Sequence, residues 1–260
     1  MRDLHCWEQL RPEEFYAEQS RAPVAYWACG PMEDHGLQNA MGVDPGKAYE
    51  ICRRAARLTG GIVFPMVPFA PAGNPPLSRE AMRSGKHPLY PPSLFVSVEL
   101  CEQIYTELFE NLAELGFRLC VAFGGHGPAA LLLRRLAERL GGMKIHTCGS
   151  TTYLADLLPG LDPEDPSPGA HGGLWETAMN AALNPEFVDL TRVRHIDSSP
   201  IPSQLKGREE RQWAAIERAT PEIGERLLDT AARRLASEVE ALLAGIEDAA
   251  SSEFDPDTSA

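Results

Sequence analysis

Apolar positions in this chain come in two kinds of run, short unbroken blocks and longer stripes at helical spacing. Residues 23–29 (PVAYWAC) form an apolar block stopped by Gly30-Pro31, which predicts a buried strand. Ala48, Ile51, Cys52, Ala55 and Leu58 then recur at a period of about 3.6. They predict a helix over 45–58, ended by Gly60-Gly61. Ile62-Val63-Phe64 begins a second strand, and Met66-Val67 extends it only across Pro65. Residues 68–92 are proline-rich, lack a periodic apolar stripe and read as one long loop. Leu100, Ile104, Leu108, Leu112 and Leu115 mark the inner face of an amphipathic helix closed by Gly116.

The clearest strand signal covers residues 117–123 and runs straight into Gly124-Gly125-His126-Gly127. A helix over 128–140 and a fourth strand over 143–148 follow, then a Pro/Asp/Gly-rich loop at 159–169. The last helix opens at Thr220-Pro221, with Ile223, Leu227, Ala231, Leu235, Val239 and Leu242 inward. Strands alternating with helices predict an α/β fold, a largely parallel sheet covered on both faces. We read residues 1–248 as one domain and 249–260 as a flexible tail.

Composition narrows the function. Thirty-seven Asp and Glu face 24 Lys and Arg, a formal charge of −13. Such a field repels phosphate backbones and anionic lipid surfaces, so nucleic acid and membrane are set aside as partners. No run reaches the ~18 apolar residues of a membrane span. The first residues lack the apolar run of a signal peptide. Six scattered cysteines with no C-x-x-C pair read as reduced, buried thiols. Together these give a cytoplasmic address.

Catalytic groups in parallel sheets gather beyond the carboxyl ends of the strands, and two such loops carry chemistry. In the first, Glu33 and His35 point to one side of an extended segment, and Asp44 follows nine residues after the histidine. A Glu, a His and a bridging Asp form a mixed N/O set for zinc, manganese or iron. Such pairs are also common at surfaces, and Asp44 before Pro45 reads equally as a helix N-cap. In the second loop, glycines around His126 permit a sharp turn and close approach of a ligand; the alternative is that His126 caps the next helix. A third segment sets His171 and Glu176 five residues apart across Gly172-Gly173, with acid/base and ligand roles, or Glu176 complements a helix dipole. His5, His87, His146 and His195 lack a supporting constellation.

Taken in order, E-x-H-G-x7-D, strand-G-H-G and H-x-G-x-x-E-T resemble the creatininase (creatinine amidohydrolase) family. That family reads G-S-x-E-Q-H-G-x-H-L-P-x-x-T-D, N-G-H-G-G-N and H-A-G-E-x-E-T-S at the corresponding places, and residues 219–224 look like its A-T-x-x-x-G opening of the last helix. The resemblance implies a three-layer α/β domain, often assembled into hexamers, with two divalent metals per subunit. Asp44 would bridge them, Glu33 and His126 would hold one, His35 and Glu176 the other, and His171 would shuttle the proton. Two cations flanking a water lower its pKa and polarise a carbonyl, so hydroxide attacks without a nucleophilic side chain.

The metal ligands are largely kept, while substrate groups and the groups behind the ligands are changed. The family's asparagines are Gly124 and Ala129, its second histidine is Gln38, its Leu-Pro is Asn39-Ala40 and its Thr before the Asp is Val43. A metal-binding Glu of creatininase is Pro128, and its Trp-Asp substrate clamp is Ser167-Pro168. The expected substrate is therefore a small polar cyclic amide or a formamide rather than creatinine. A C–C hydrolase opening a cyclic diketone, and a metal-free relic acting as an assembly module, are the alternatives.

Overall fold

The computed structural model describes residues 2–161 and 171–252. Four parallel strands, β1 (Val24–Cys29), β2 (Ile62–Val63), β3 (Leu119–Gly124) and β4 (Lys144–Cys148), form one sheet in the order β2-β1-β3-β4. The helices are α1 (Pro12–Arg21), α2 (Val43–Thr59), α3 (Arg79–Arg83), α4 (Val98–Glu114), α5 (Gly127–Ala137), α6 (Ser150–Leu154), α7 (Leu158–Leu161), α8 (Leu174–Leu183), α9 (Glu210–Ile216) and α10 (Pro221–Ser252). The three-layer α/β architecture expected from the pattern is the one observed.

Strand alternation divides the core between the two faces. Tyr26, Ala28, Val121 and Phe123 pack with α2, α6, α8 and α10. Ala25, Trp27, Cys29, Cys120 and Ala122 pack with α1, α4 and α5. A smaller cluster of Val193, Ile196, Leu205, Trp213 and Ile216 supports the segment that later closes over the site. Arg54 fastens α2 to α10 through Glu225 and Asp229. All six cysteines are free and buried.

Five local expectations need correction. The buried side of α4 is Cys101, Tyr105, Phe109 and Leu112, whereas Leu100 and Leu115, placed inward by spacing, are exposed. Residues 68–92 are not one unbroken loop: Ser78 accepts from the Ala81 N–H and starts α3. Helix α1 carries no apolar stripe that predicts it, since only Phe15 and Gln19 of its residues are buried. Beyond Val63 the second strand leaves only an isolated bridge, Cys29 to Val67, since Pro65 removes a ladder donor. Helix α2 begins at Val43, so Asp44 lies in its first turn and Gly42 holds the N-cap position. Most of the 159–169 loop, Ser167-Pro168 and the tail residues 253–260 lie outside the described residues; the α10 backbone continues to Ser252.

Strands β1 and β3 are neighbours, with Cys29 paired to Gly124, yet their onward connections lead to opposite edges, β2 and β4. That reversal leaves a crevice at their carboxyl ends, where open α/β sheets bind ligands.

Candidate active site

Both loops at the crevice are shaped by close backbone contacts. The loop after β1 carries Glu33, Asp34 and His35, all three buried. Asp34 Oδ1 accepts from the Gly36 N–H at 3.2 Å, and Oδ2 accepts from the Ser203 hydroxyl at 2.6 Å. The 203–205 segment is thereby tied over the loop. Gln38 donates through Nε2 to the carbonyls of His35 (3.0 Å) and Gly172 (3.1 Å). Asn39 donates to His35 O and to Thr177 Oγ1 of α8, each at 3.0 Å. Two of the departures from the family pattern thus join the first loop to the third segment.

The five proposed ligand residues come together. His126 Nδ1 lies 2.9 Å from Glu33 Oε2 and 3.2 Å from Asp44 Oδ2. His35 Nε2 lies 3.2 Å from Asp44 Oδ1 and 3.5 Å from Glu176 Oε2. Ligand atoms of Glu33–Asp44–His126, of His35–Asp44–Glu176 and of Glu33–His35–His171 each fall within 4.8 Å of one another. His126 occupies the N-cap position of α5 but makes no capping bond with its side chain. Its alternative reading as a helix cap is thereby excluded, as is the N-cap reading of Asp44.

A divalent ion suits these donors. Glu33 Oε2, Asp44 Oδ2 and His35 Nε2 are buried without hydrogen-bond partners, which is costly unless something charged satisfies them. His35 Nδ1 lies 3.1 Å from the Glu33 carbonyl; donating there leaves Nε2 as the lone-pair nitrogen that a metal ligand needs.

His171 lies beside this cluster, its ring centroid 4.0 Å from that of His35. Its Nε2 is 2.6 Å from the Asp34 carbonyl and 2.8 Å from Gln204 Nε2. Gln204 also donates to Glu33 Oε1 at 2.7 Å. Burial, with the charge on His35, lowers the pKa of His171 below the usual histidine value.

Sequence reasoning missed Lys47 and Gln204. Lys47 is 1% exposed and its ammonium donates to both Asp44 and Glu176. Burial alone would lower its pKa, but the two carboxylates outweigh that and hold it above its ordinary value, protonated. The available signal was a lysine on the inward stripe of α2, four residues before buried Ile51. Gln204 had no signal, because a loop far along the chain brings it in. Glu176 does both things foreseen for it: its Oε2 accepts from the Gly172 N–H at 2.7 Å at the start of α8, while Oε1 faces Lys47.

A cavity of about 270 Å³ opens on the cluster. Asp44, His126, His171 and Glu176 line it, together with Arg134, Thr147, Ser150 and Thr151.

The family model described as creatinine amidohydrolase (creatininase) matches residues 8–239. The chain belongs to the creatininase family. Creatinine amidohydrolase of Pseudomonas putida is 27% identical over 192 residues, 66% of this chain and 67% of that protein. A mutant creatininase structure superposes with TM-score 0.70 at 23% identity, covering 91% of this chain and 98% of the other. A creatininase mutant of Zn-Zn type gives 0.69 at 23%, covering 93% and 98%. At those identities the structural likeness establishes the fold. With the metal-coordinating groups, family membership makes this a divalent-metal-dependent hydrolase site. Among the described residues no helix is long and apolar enough to cross a membrane.

Proposed function

We propose that this enzyme hydrolyses the C–N bond of a small polar substrate, a cyclic amide or a formamide other than creatinine. The observation carrying the proposal is the pair of orphaned carboxylate oxygens, Glu33 Oε2 and Asp44 Oδ2, facing His126 Nδ1 beside a cavity of small-molecule size. Glu33, Asp44 and His126 would hold a divalent ion there. The zinc form of the related creatininase supports zinc as a metal, and the donor set suits manganese and iron as well. When bound, the ion supplies Lewis acidity, polarising a carbonyl and lowering the pKa of water.

The chain's own groups do the remaining work. His171, kept neutral by burial, donates from Nε2 to the Asp34 carbonyl, which leaves Nδ1 as the nitrogen that takes up a proton and returns it to the departing nitrogen. Gln204 holds Glu33 Oε1 and so fixes the carboxylate's other oxygen toward His126. Gln38 and Asn39 keep the His35 backbone against α8, which sets the spacing of Glu33 and Glu176 across the site. The family resemblance adds assembly as a homo-oligomer, and the six free cysteines support a reducing, cytoplasmic setting.

A panel of lactams, formamides and keto-sugars tests this reading. Amide or formamide turnover that stops with chelator and returns with a divalent ion supports it. Cleavage confined to cyclic diketones, or turnover indifferent to chelator, overturns it.

A further inference from the structure

The two metal triads that share Asp44 are not equivalent, and the difference lies in which oxygens already have partners. Around His35, Asp44 Oδ1 and Glu176 Oε1 both accept from the Lys47 ammonium, and Glu176 Oε2 accepts from the Gly172 N–H. Around His126, by contrast, Glu33 Oε2 and Asp44 Oδ2 are buried and accept nothing.

We propose that Lys47 is a built-in cation that stands in place of a second metal ion, so that each chain takes one divalent ion, at Glu33, Asp44 and His126. The proposal rests on the metal-hydrolase reading above and departs from the two-ion expectation.

Charge argues for it. Three carboxylates (Glu33, Asp44 and Glu176), one ammonium and one divalent ion sum to zero with His35 neutral, and to one positive charge with His35 protonated. A second divalent ion would leave a buried excess of two positive charges, which a low-dielectric interior does not tolerate without further anions.

Geometry argues for it as well. Lys47 projects from the first turns of α2, whose residues there (Val43, Asp44, Pro45, Ala48) are themselves buried, and its ammonium lies 5.3 Å from the centre of the Trp175 ring. Asp44 and Glu176 are the two carboxylates it pairs with. An ion that took both of them would strand the ammonium in the interior beside a divalent charge. Lys47 does not line the cavity. It is a positioning residue, fixing Oδ1 of Asp44 so that Oδ2 turns to His126.

The experiment is a metal count with two readouts. Wild-type protein loaded with excess zinc and desalted is measured by elemental analysis, and anomalous diffraction locates the zinc. One ion per chain, beside His126 with Lys47 still on Asp44 and Glu176, is the expected result. Lys47→Met, which removes the charge and keeps the length, is expected to take two. Two ions in the wild type, or a Lys47→Met protein that folds and still takes one, overturns the proposal while leaving the metal-hydrolase reading standing. No ion in the wild type overturns both. If Lys47→Met fails to fold, the wild-type count and the anomalous map decide by themselves.

Discussion

Gly125 lies so close to Asp44 that a Cβ built on it would come within 2.2 Å of the Asp44 carbonyl oxygen. The glycine before the loop histidine therefore lets the turn after β3 seat against the first turn of α2, and this contact brings His126 to Asp44. Gly125→Ala must push the two backbones apart. A loss of about 1–3 kcal/mol in stability is expected from such overpacking, together with loss of tightly held metal. Denaturant unfolding and elemental analysis measure both; an alanine variant with wild-type metal content would show that the contact does not set the site.

Removing the histidines separates holding the ion from moving the proton. His126→Ala is expected to abolish metal retention, because it deletes the nitrogen between Glu33 Oε2 and Asp44 Oδ2. His171→Ala is expected to keep the metal while kcat falls about 100-fold or more, the usual scale of a lost general acid/base. If His171→Ala also lost its metal, His171 would be a ligand through the Glu33–His35–His171 group rather than a proton carrier.

Gln38 replaces a histidine of the family pattern and spans two buried carbonyls, those of His35 and Gly172. Gln38→Leu leaves both without this donor, a destabilisation of about 1–3 kcal/mol. Because Asn39 also donates to His35 O, metal content should persist. Unchanged unfolding free energy would remove Gln38 from the account.

Protons and metal compete at His126. Burial by itself lowers its pKa, yet the carboxylates of Asp44 and Glu33 close to Nδ1 outweigh burial and lift it to about 10. His35 rises likewise to about 9, against burial, through Asp44 and Glu176. Ion uptake at about pH 7.5 must then expel about one proton from His126 per ion, readable by calorimetry in buffers of different ionisation enthalpy. A histidine with a raised folded pKa stabilises fully below its unfolded value, near 6.5, and loses that contribution as pH rises through the folded one. Metal-free protein should accordingly lose stability between about pH 6.5 and about pH 10. Proton-neutral uptake, or metal-free stability that climbs over that interval, would refute the assignment.

Much of this was legible in the residues. Unbroken apolar blocks gave β1, β2 and β3, because burial on both faces leaves no other pattern for a fully buried parallel strand, while the edge strand β4 is mixed and half-buried. Helical stripes gave α2, α4, α5 and α10. Helices α1, α3 and α9 escaped, being short or mostly polar, so their apolar stripes barely rise above the background. Glu33, His35, Asp44, His126, His171 and Glu176 were all chosen by spacing, and all meet in one cluster.

What spacing could not supply was which polar atom satisfies which. Lys47 is one more lysine in a chain of 24 basic residues until α2 is seen to turn it inward between Asp44 and Glu176. Gln204 reaches Glu33 across 171 positions of sequence. The linear chain fixes local periodicity and the residue types that bind metal, since those depend on near neighbours and intrinsic chemistry. The division of two carboxylates between an ammonium and an orphaned face arises only when distant segments share one desolvated interior, where each charge must find its partner.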